Sequence, residues 1–169
     1  MTIDSDTLFQ TPWHGVGDFR FDERVAAVFP DMIRRSVPGY GHVVGLTGLI
    51  AKRFAKANTC LYDLGCSLGA TTLAMAREVQ QPGCRLIALD NSEAMLTKAQ
   101  HHSTDRLIDP LPIEWVLGNI ETHPFEPASV FAMNFTLQFI PLDSRDALLR
   151  RIAQSLVPGG VLVLAEKVA

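Results

Sequence analysis

Cysteine is scarce in this sequence: Cys60, Cys66 and Cys84 are the only three in 169 residues, with no C-x-x-C pair among them. An odd number at such spacing argues against a disulfide framework and for free thiols in a reducing compartment. Positive charge is not in excess either. Fifteen Lys and Arg face eighteen Asp and Glu, a net charge of -3, so no general basic patch for non-specific nucleic-acid binding is expected. No apolar run approaches the roughly twenty residues of a membrane helix. The N-terminal stretch Met1 to Asp6 is polar and acidic, unlike a signal peptide. These absences predict a cytoplasmic protein that neither enters a membrane nor binds nucleic acid directly. Histidines give no metal signature. His101 and His102 are adjacent, so on a helix they do not face one ion, and His14, His42 and His123 are scattered. Internal repeats, low-complexity tracts and interdomain linkers are also lacking. What is present, 47% hydrophobic and 20% charged residues, is the composition of an ordinary globular chain, long enough for one domain with a sizeable core.

The informative stretch is Leu61-Tyr62-Asp63-Leu64-Gly65-Cys66-Ser67-Leu68-Gly69-Ala70-Thr71-Thr72, a short apolar run ending in a glycine-bearing turn before a helical pattern. In an α/β sheet such a turn lies at the carboxyl edge of the strands, where ligands bind. Gly65 is expected to let backbone approach a ligand, and Gly69 to let the helix pack closely on the strand. Ser67 replaces the middle glycine of a dinucleotide fingerprint, and no Gly-Lys-Ser/Thr follows as in a P-loop. A nucleoside ligand without phosphates fits better. Arg85 to Asp90 reads as the next strand, and Asp90 stands about twenty residues past Gly69, where an acidic residue grips ribose hydroxyls. Asp63, the turn and Asp90 together look like an S-adenosylmethionine site.

Taken in order, residues 1–20 read as irregular. Phe21 to Ser36 has helical periodicity, with Val25, Val28 and Phe29 on one face and Asp22 as a cap, and Pro30 is expected to split it into two short helices. Pro38-Gly39-Tyr40-Gly41 reads as a turn. From His42 to Lys56 a helix is predicted to turn Val43, Leu46, Leu49, Ile50 and Phe54 inward. Helices over Thr71 to Val79 and from an Asn91 or Ser92 cap to about His102 follow. Pro110 and Pro112 bracket a loop before a strand over Ile113 to Leu117. A further strand covers Val130 to Met133. Asp143 or Ser144 caps a helix that faces Leu148, Leu149, Ile152 and Leu156 to the sheet. Pro158-Gly159-Gly160 ends it, and Val161 to Leu164 is the fifth strand. Strand alternating with helix predicts an α/β fold, a parallel sheet covered on both faces.

Each strand end then offers a polar group: Asp63 with Ser67, Asp90, Asn119 and Asn134. Any one of them reads equally as a turn former, but four converging ends point to a shared nucleoside crevice. Cys66 reads as a small apolar turn residue rather than a nucleophile, because no histidine stands in a relation that would activate it. Tyr40 is open between surface packing and a lid over the ligand.

Phe21-Asp22-Glu23-Arg24-Val25-Ala26-Ala27-Val28-Phe29-Pro30-Asp31-Met32-Ile33, Ser36-Val37-Pro38-Gly39-Tyr40, Asp63 to Ala70, Asp90-Asn91-Ser92 and Asn134-Phe135-Thr136-Leu137-Gln138-Phe139 resemble the carboxy-S-adenosyl-L-methionine synthase family. The resemblance covers nearly the whole chain. It implies a Rossmann-like class I methyltransferase fold that lacks the family's last strands, divided into a helical lid region, 1–58, and an S-adenosylmethionine-binding core, 59–169, within one domain. It further implies cofactor contacts at Tyr40, Gly65, Cys66, Ser67, Asp90, Asn91, Asn119, Ile120 and Asn134. The family usually has aspartate at position 119; Asn119 keeps hydrogen bonding but carries no charge.

The implied chemistry joins S-adenosyl-L-methionine and prephenate to give carboxy-S-adenosyl-L-methionine and phenylpyruvate. A sulfonium-stabilised carbanion captures the carbon dioxide released by prephenate. No catalytic side chain is required if the departing hydroxyl takes the proton. The product serves modification of a transfer RNA wobble uridine by a separate enzyme, and a homodimer is implied. In the family further helices, two strands and a carboxylate-gripping arginine follow the position of Ala169, so low synthase activity of the 169-residue chain is expected. An ordinary methyltransferase and a non-catalytic S-adenosylmethionine-binding domain are the alternatives.

Overall fold

In a computed structural model, residues 23–103 and 111–167 are described. The sequence expectations for residues 1–22 and 104–110 lie outside them. The elements run α1 (Glu23–Ser36), α2 (Tyr40–Phe54), β1 (Cys60–Leu64), α3 (Ala70–Glu78), β2 (Arg85–Asp90), α4 (Glu93–Ser103), β3 (Ile113–Leu117), β4 (Ala128–Asn134), a short 3-10 turn (Leu137–Phe139), α5 (Leu142–Ser155) and β5 (Leu156–Ala165). The five strands form one parallel sheet in the order β3-β2-β1-β4-β5. The order reverses direction at β1, so β1 and its neighbours open a crevice at their carboxyl ends.

Burial explains why the strands lie where they do. Every residue of β1 is buried, as are all of β4 but Asn134 and all of β2 but Arg85. Alternation sorts their side chains between two layers. Leu61, Leu86, Val130 and Ala132 meet Ala51, Met75 and Ala76 of α2 and α3, while Ala88 meets Leu96 of α4. Tyr62, Leu64, Leu89, Phe131 and Met133 meet Leu148 and Ile152 of α5. Helices therefore cover both faces, as the strand–helix rhythm predicts. Each of the larger side chains among them (Leu, Ile, Val, Met, Phe) contributes roughly 1.5–3 kcal/mol. Tyr62 stacks on Phe131 with ring centres 4.8 Å apart, and its buried hydroxyl accepts from the Glu126 N–H at 2.9 Å. No helix among the described residues is long and apolar enough to cross a membrane.

Four local expectations are corrected. First, α1 is continuous through Pro30. Proline costs about 3 kcal/mol inside a helix, but α1 buries Val25, Ala26 and Val28, the first two against Met95 of α4, and that burial offsets the loss.

Second, α2 begins at Tyr40, and its inward face is not the one of large residues. Thr47, Gly48, Ala51 and the following Ala55 are buried, while Leu46 and Leu49 are 58% and 55% exposed. Close approach decides this: a Cβ on Gly48 would lie 2.9 Å from the Ala74 carbonyl oxygen, so only a small-residue face can meet α3. Third, α5 starts after Pro141 with no side-chain cap. Fourth, Pro158-Gly159-Gly160 lies within β5 as an irregularity rather than between helix and strand. Leu156 pairs with Ala128 and Val161 with Val130, so the intervening residues bulge out. Gly159 takes a φ of 75°, and Lys56 Nζ donates to the Pro158 carbonyl.

Candidate functional site

The turn from β1 into α3 is built on three left-handed residues in alternation: Gly65 at φ 75°, Ser67 at 50° and Gly69 at 77°. A Cβ at Gly65 would stand 2.5 Å from Thr136 Oγ1, and one at Gly69 would stand 2.6 Å from the Trp115 ring. What Gly65 admits is therefore a protein neighbour, Thr136, whose hydroxyl donates to the Leu64 carbonyl at 3.0 Å. Packing against Thr136 is thus a requirement on Gly65 in its own right, beside the close backbone approach expected of it.

Asp90 ends β2 and ties the turns together. Its Oδ2 accepts from the Ser67 N–H at 2.8 Å, its Oδ1 accepts from the Ser92 N–H at 2.9 Å, and its carbonyl accepts from the Gly118 N–H at 2.9 Å. Burial raises its carboxyl above the usual range, while the backbone donors of Ser67, Ser92 and Asn91 pull it back. A carboxylate offers about four lone-pair sites, so capacity remains for a ligand hydroxyl. Ser92 receives the Met95 N–H on its hydroxyl at 3.2 Å and so caps α4. Asn91 beside it is exposed.

The third strand end reaches the group through Gly118. Asn119 is exposed, and its Oδ1 accepts from the Glu121 N–H at 2.8 Å. Ile120 is 8% exposed and packs with Leu148 and Ile152 on the α5 side.

At the end of β4, Asn134 Nδ2 donates to Thr47 Oγ1 and Thr71 Oγ1, both at 3.2 Å, while its buried Oδ1 has no partner among the described residues. A buried acceptor left open costs about 1–3 kcal/mol, so it suits a ligand that brings a donor. Phe135 follows at φ 59°, a strained conformation for an aromatic residue that clusters at functional sites. Its ring lies 6.1 Å from that of Tyr40.

Tyr40 thus stands at the start of α2, beside the end of β4. Burial, followed by the negative charge of Asp63, pushes its hydroxyl up to about 12, so it stays protonated. Asp63 is 2% exposed and accepts from Thr72 Oγ1 at 2.5 Å; burial raises its carboxyl to about 7. Cys66 is 5% exposed, and burial, with the charges of Asp63 and Asp90, pushes its thiol well above the usual range. Such a thiol is not a nucleophile near neutrality, which agrees with its reading as a turn residue.

The structure therefore gathers Gly65, Cys66, Ser67, Asp90 and Asn91 around one hydrogen-bonded centre, with Asn119 and Ile120 on its β3 side. Tyr40 and Asn134 lie on its β4 side. Sequence reasoning missed Thr47, Thr71, Thr72 and Thr136, whose hydroxyls hold Asn134, Asp63 and Leu64. Only the Thr71-Thr72 pair at a helix start was a visible signal.

The chain is 51% identical over 96% of its length to carboxy-S-adenosyl-L-methionine synthase of Klebsiella pneumoniae strain 342. It is 52% identical over the same share to the enzyme of that name from Salmonella paratyphi C. It spans 65% of the length of each relative. Among solved structures, an S-adenosylmethionine-dependent methyltransferase from Clostridium acetobutylicum superposes with a TM-score of 0.63 at 16% identity, covering 83% of this chain and 55% of that one. Coclaurine N-methyltransferase bound to N-methylheliamine and SAH superposes with a TM-score of 0.58 at 26% identity, covering 72% of this chain and 35% of that one. These likenesses agree with the Rossmann-like sheet order. The methyltransferase domain family matches residues 61–160, more than half of the sequence, from the second residue of β1 through β4 with their turns, and the chain belongs to that family.

Proposed function

We propose that the crevice at the strand ends binds S-adenosyl-L-methionine, and that the chain carries the cofactor-binding part of a carboxy-S-adenosyl-L-methionine synthase. The observation that carries the ligand is the open, buried Asn134 Oδ1 across from a carboxylate, Asp90, that keeps acceptor capacity. Asp90 would accept from the ribose hydroxyls, and Asn134 Oδ1 from the ammonium group of the methionine part. Asn119 and the backbone of Ile120 would meet the base. The turn over Gly65, Cys66 and Ser67, with Asn91, would line the middle, and Tyr40 with Phe135 would screen the reacting end from water. The ligand supplies an activated one-carbon group on sulfur. This chain's residues orient it and exclude solvent, which is where much of such an enzyme's rate advantage arises.

The finer reading follows the sequence resemblance to the carboxy-S-adenosyl-L-methionine synthase family. The chain would take prephenate as its second small-molecule substrate and give carboxy-S-adenosyl-L-methionine and phenylpyruvate, in the cytoplasm and as a homodimer. The product would then serve transfer RNA wobble uridine modification. The lid would be formed by residues 1–58. Mass spectrometry of the ligand that copurifies with the protein tests both levels. A carboxylated sulfonium supports the synthase. Plain S-adenosyl-L-methionine, with methyl transfer to an acceptor, would point to an ordinary methyltransferase. A folded protein that shows no calorimetric binding of S-adenosylhomocysteine would overturn the ligand itself.

A further inference from the structure

Arg151 lies on α5, on the opposite face of the sheet from α2, α3 and α4, and reaches into the loop between β3 and β4. Its Nη1 donates to the carbonyls of Ile120 at 3.3 Å and Glu121 at 2.5 Å, and its Nη2 donates to the carbonyl of His123. Its guanidinium carbon stands 4.8 Å from the centre of the Phe125 ring. Among the described residues no carboxylate forms an ion pair with it. A whole positive charge is thus directed at three neutral carbonyls of one short loop.

The loop is also bonded from within. The Asn119 side chain accepts from the Glu121 N–H, and the Asn119 carbonyl accepts from the N–H groups of Thr122 at 3.1 Å and His123 at 2.9 Å. Glu121 N–H needs an acceptor, so the amide oxygen of Asn119 faces it and the amide nitrogen is left outward. The turn comes pre-formed, with the Asn119 amide nitrogen unengaged among the described residues. Three carbonyl oxygens drawn to one side repel one another, and a planar fork of N–H donors on the α5 side holds them together. A lysine ammonium cannot span all three.

We propose that Arg151 is a positioning residue for the base of the adenosyl ligand, acting by fixing the turn that presents Asn119 and the Ile120 backbone. The inference rests on the reading that the ligand carries an adenosyl group. A loop ordered before binding does not have to be ordered during it, and that saving appears as affinity. The saving applies only to ligands that touch the loop.

The test compares the wild-type chain with Arg151→Met, which keeps an unbranched stem over Phe125, and Arg151→Lys. Affinities are measured by calorimetry for S-adenosylhomocysteine and, by competition, for S-ribosylhomocysteine, the same molecule without its base. Thermal melting of the free proteins checks folding. Arg151→Met should weaken S-adenosylhomocysteine about tenfold and Arg151→Lys about threefold, while S-ribosylhomocysteine changes less than twofold. Equal weakening of both ligands would overturn the proposal, because the residue would then support the fold at large. Unchanged binding of S-adenosylhomocysteine in a folded variant would overturn it too. Should Arg151→Met fail to fold, the base-selective loss in Arg151→Lys decides by the same criterion. A wild-type chain that binds neither molecule removes the adenosyl reading and this inference together, whereas binding by the wild type with indifferent variants removes only the role of Arg151.

Discussion

Asp90 and Asn134 end two buried strands on either side of β1, yet their polar groups are used in opposite ways. Both carboxylate oxygens of Asp90 hold backbone N–H groups, from Ser67 and Ser92. Asn134 spends its two donor hydrogens on Thr47 and Thr71 and leaves its oxygen open. The first residue commits its acceptors to the fold; the second keeps one unpaired among the described residues. A buried acceptor that is satisfied contributes to folding, while one left open costs stability until a ligand arrives. Between them Asp63, on β1, does neither: it is a carboxyl held where its charge is unwelcome.

The largest effect that would sharpen this contrast is therefore one of pH. An ordinary carboxyl titrates near 3.9, but burial raises that of Asp63 to about 7 in the folded chain. Between these values the folded protein keeps a proton that the unfolded chain has released. The protein thus gains from Asp63 below about pH 4 and loses that gain as pH rises to 7, by roughly 4 kcal/mol. Asp63→Asn should remove this part of the slope. Urea unfolding at pH 4.5 and 7.5 measures it, and parallel wild-type and variant profiles would refute the assignment.

Next comes Asp90→Ala. It should weaken S-adenosylhomocysteine by roughly ten- to a hundredfold, and it should lower the stability of the free protein, because the backbone donors of Ser67, Ser92 and Asn91 lose their acceptor. Asn134→Ala breaks the comparison from the other side. Affinity should fall about tenfold through the lost bond to the ammonium, with little change in the melting temperature of the free protein. A loss of stability as large as that of Asp90→Ala would show that the two strand ends are alike after all. The smallest effect belongs to Asn119→Asp. A carboxylate keeps the Glu121 N–H bond and turns the outward amide nitrogen into a charged acceptor, so calorimetry should find roughly two- to fivefold tighter binding. Weaker binding would mean that the amide N–H is the group the base uses.

The strands were legible because parallel, doubly buried segments are written as apolar runs, and β2 begins and ends where its run does. The polar residues after them were legible for the same reason, as sudden breaks in the run. What misled was size. Leu46 and Leu49 look like a core face, yet they lie outward, because contact with α3 at Gly48 leaves room only for small side chains. Pro30 and Pro158-Gly159-Gly160 look like stops, but burial of α1 and the pairing of β5 carry through them. Arg151 had no signal at all. Its partners are backbone carbonyls far along the chain, and any residue type would have supplied them.

The approach of α2 to α3 also makes α2 a rod with a fulcrum. Gly48 touches Ala74, and Tyr40 stands eight residues earlier on the same helix, about 12 Å away at 1.5 Å per residue. Widening the contact by one methyl group would tilt or lift the whole rod, since a helix moves more readily than it bends. The ring at its tip would then leave Phe135, although nothing near either ring had been altered. The spacing of the Tyr40 and Phe135 rings is thus governed by a glycine two helical turns away on the same rod.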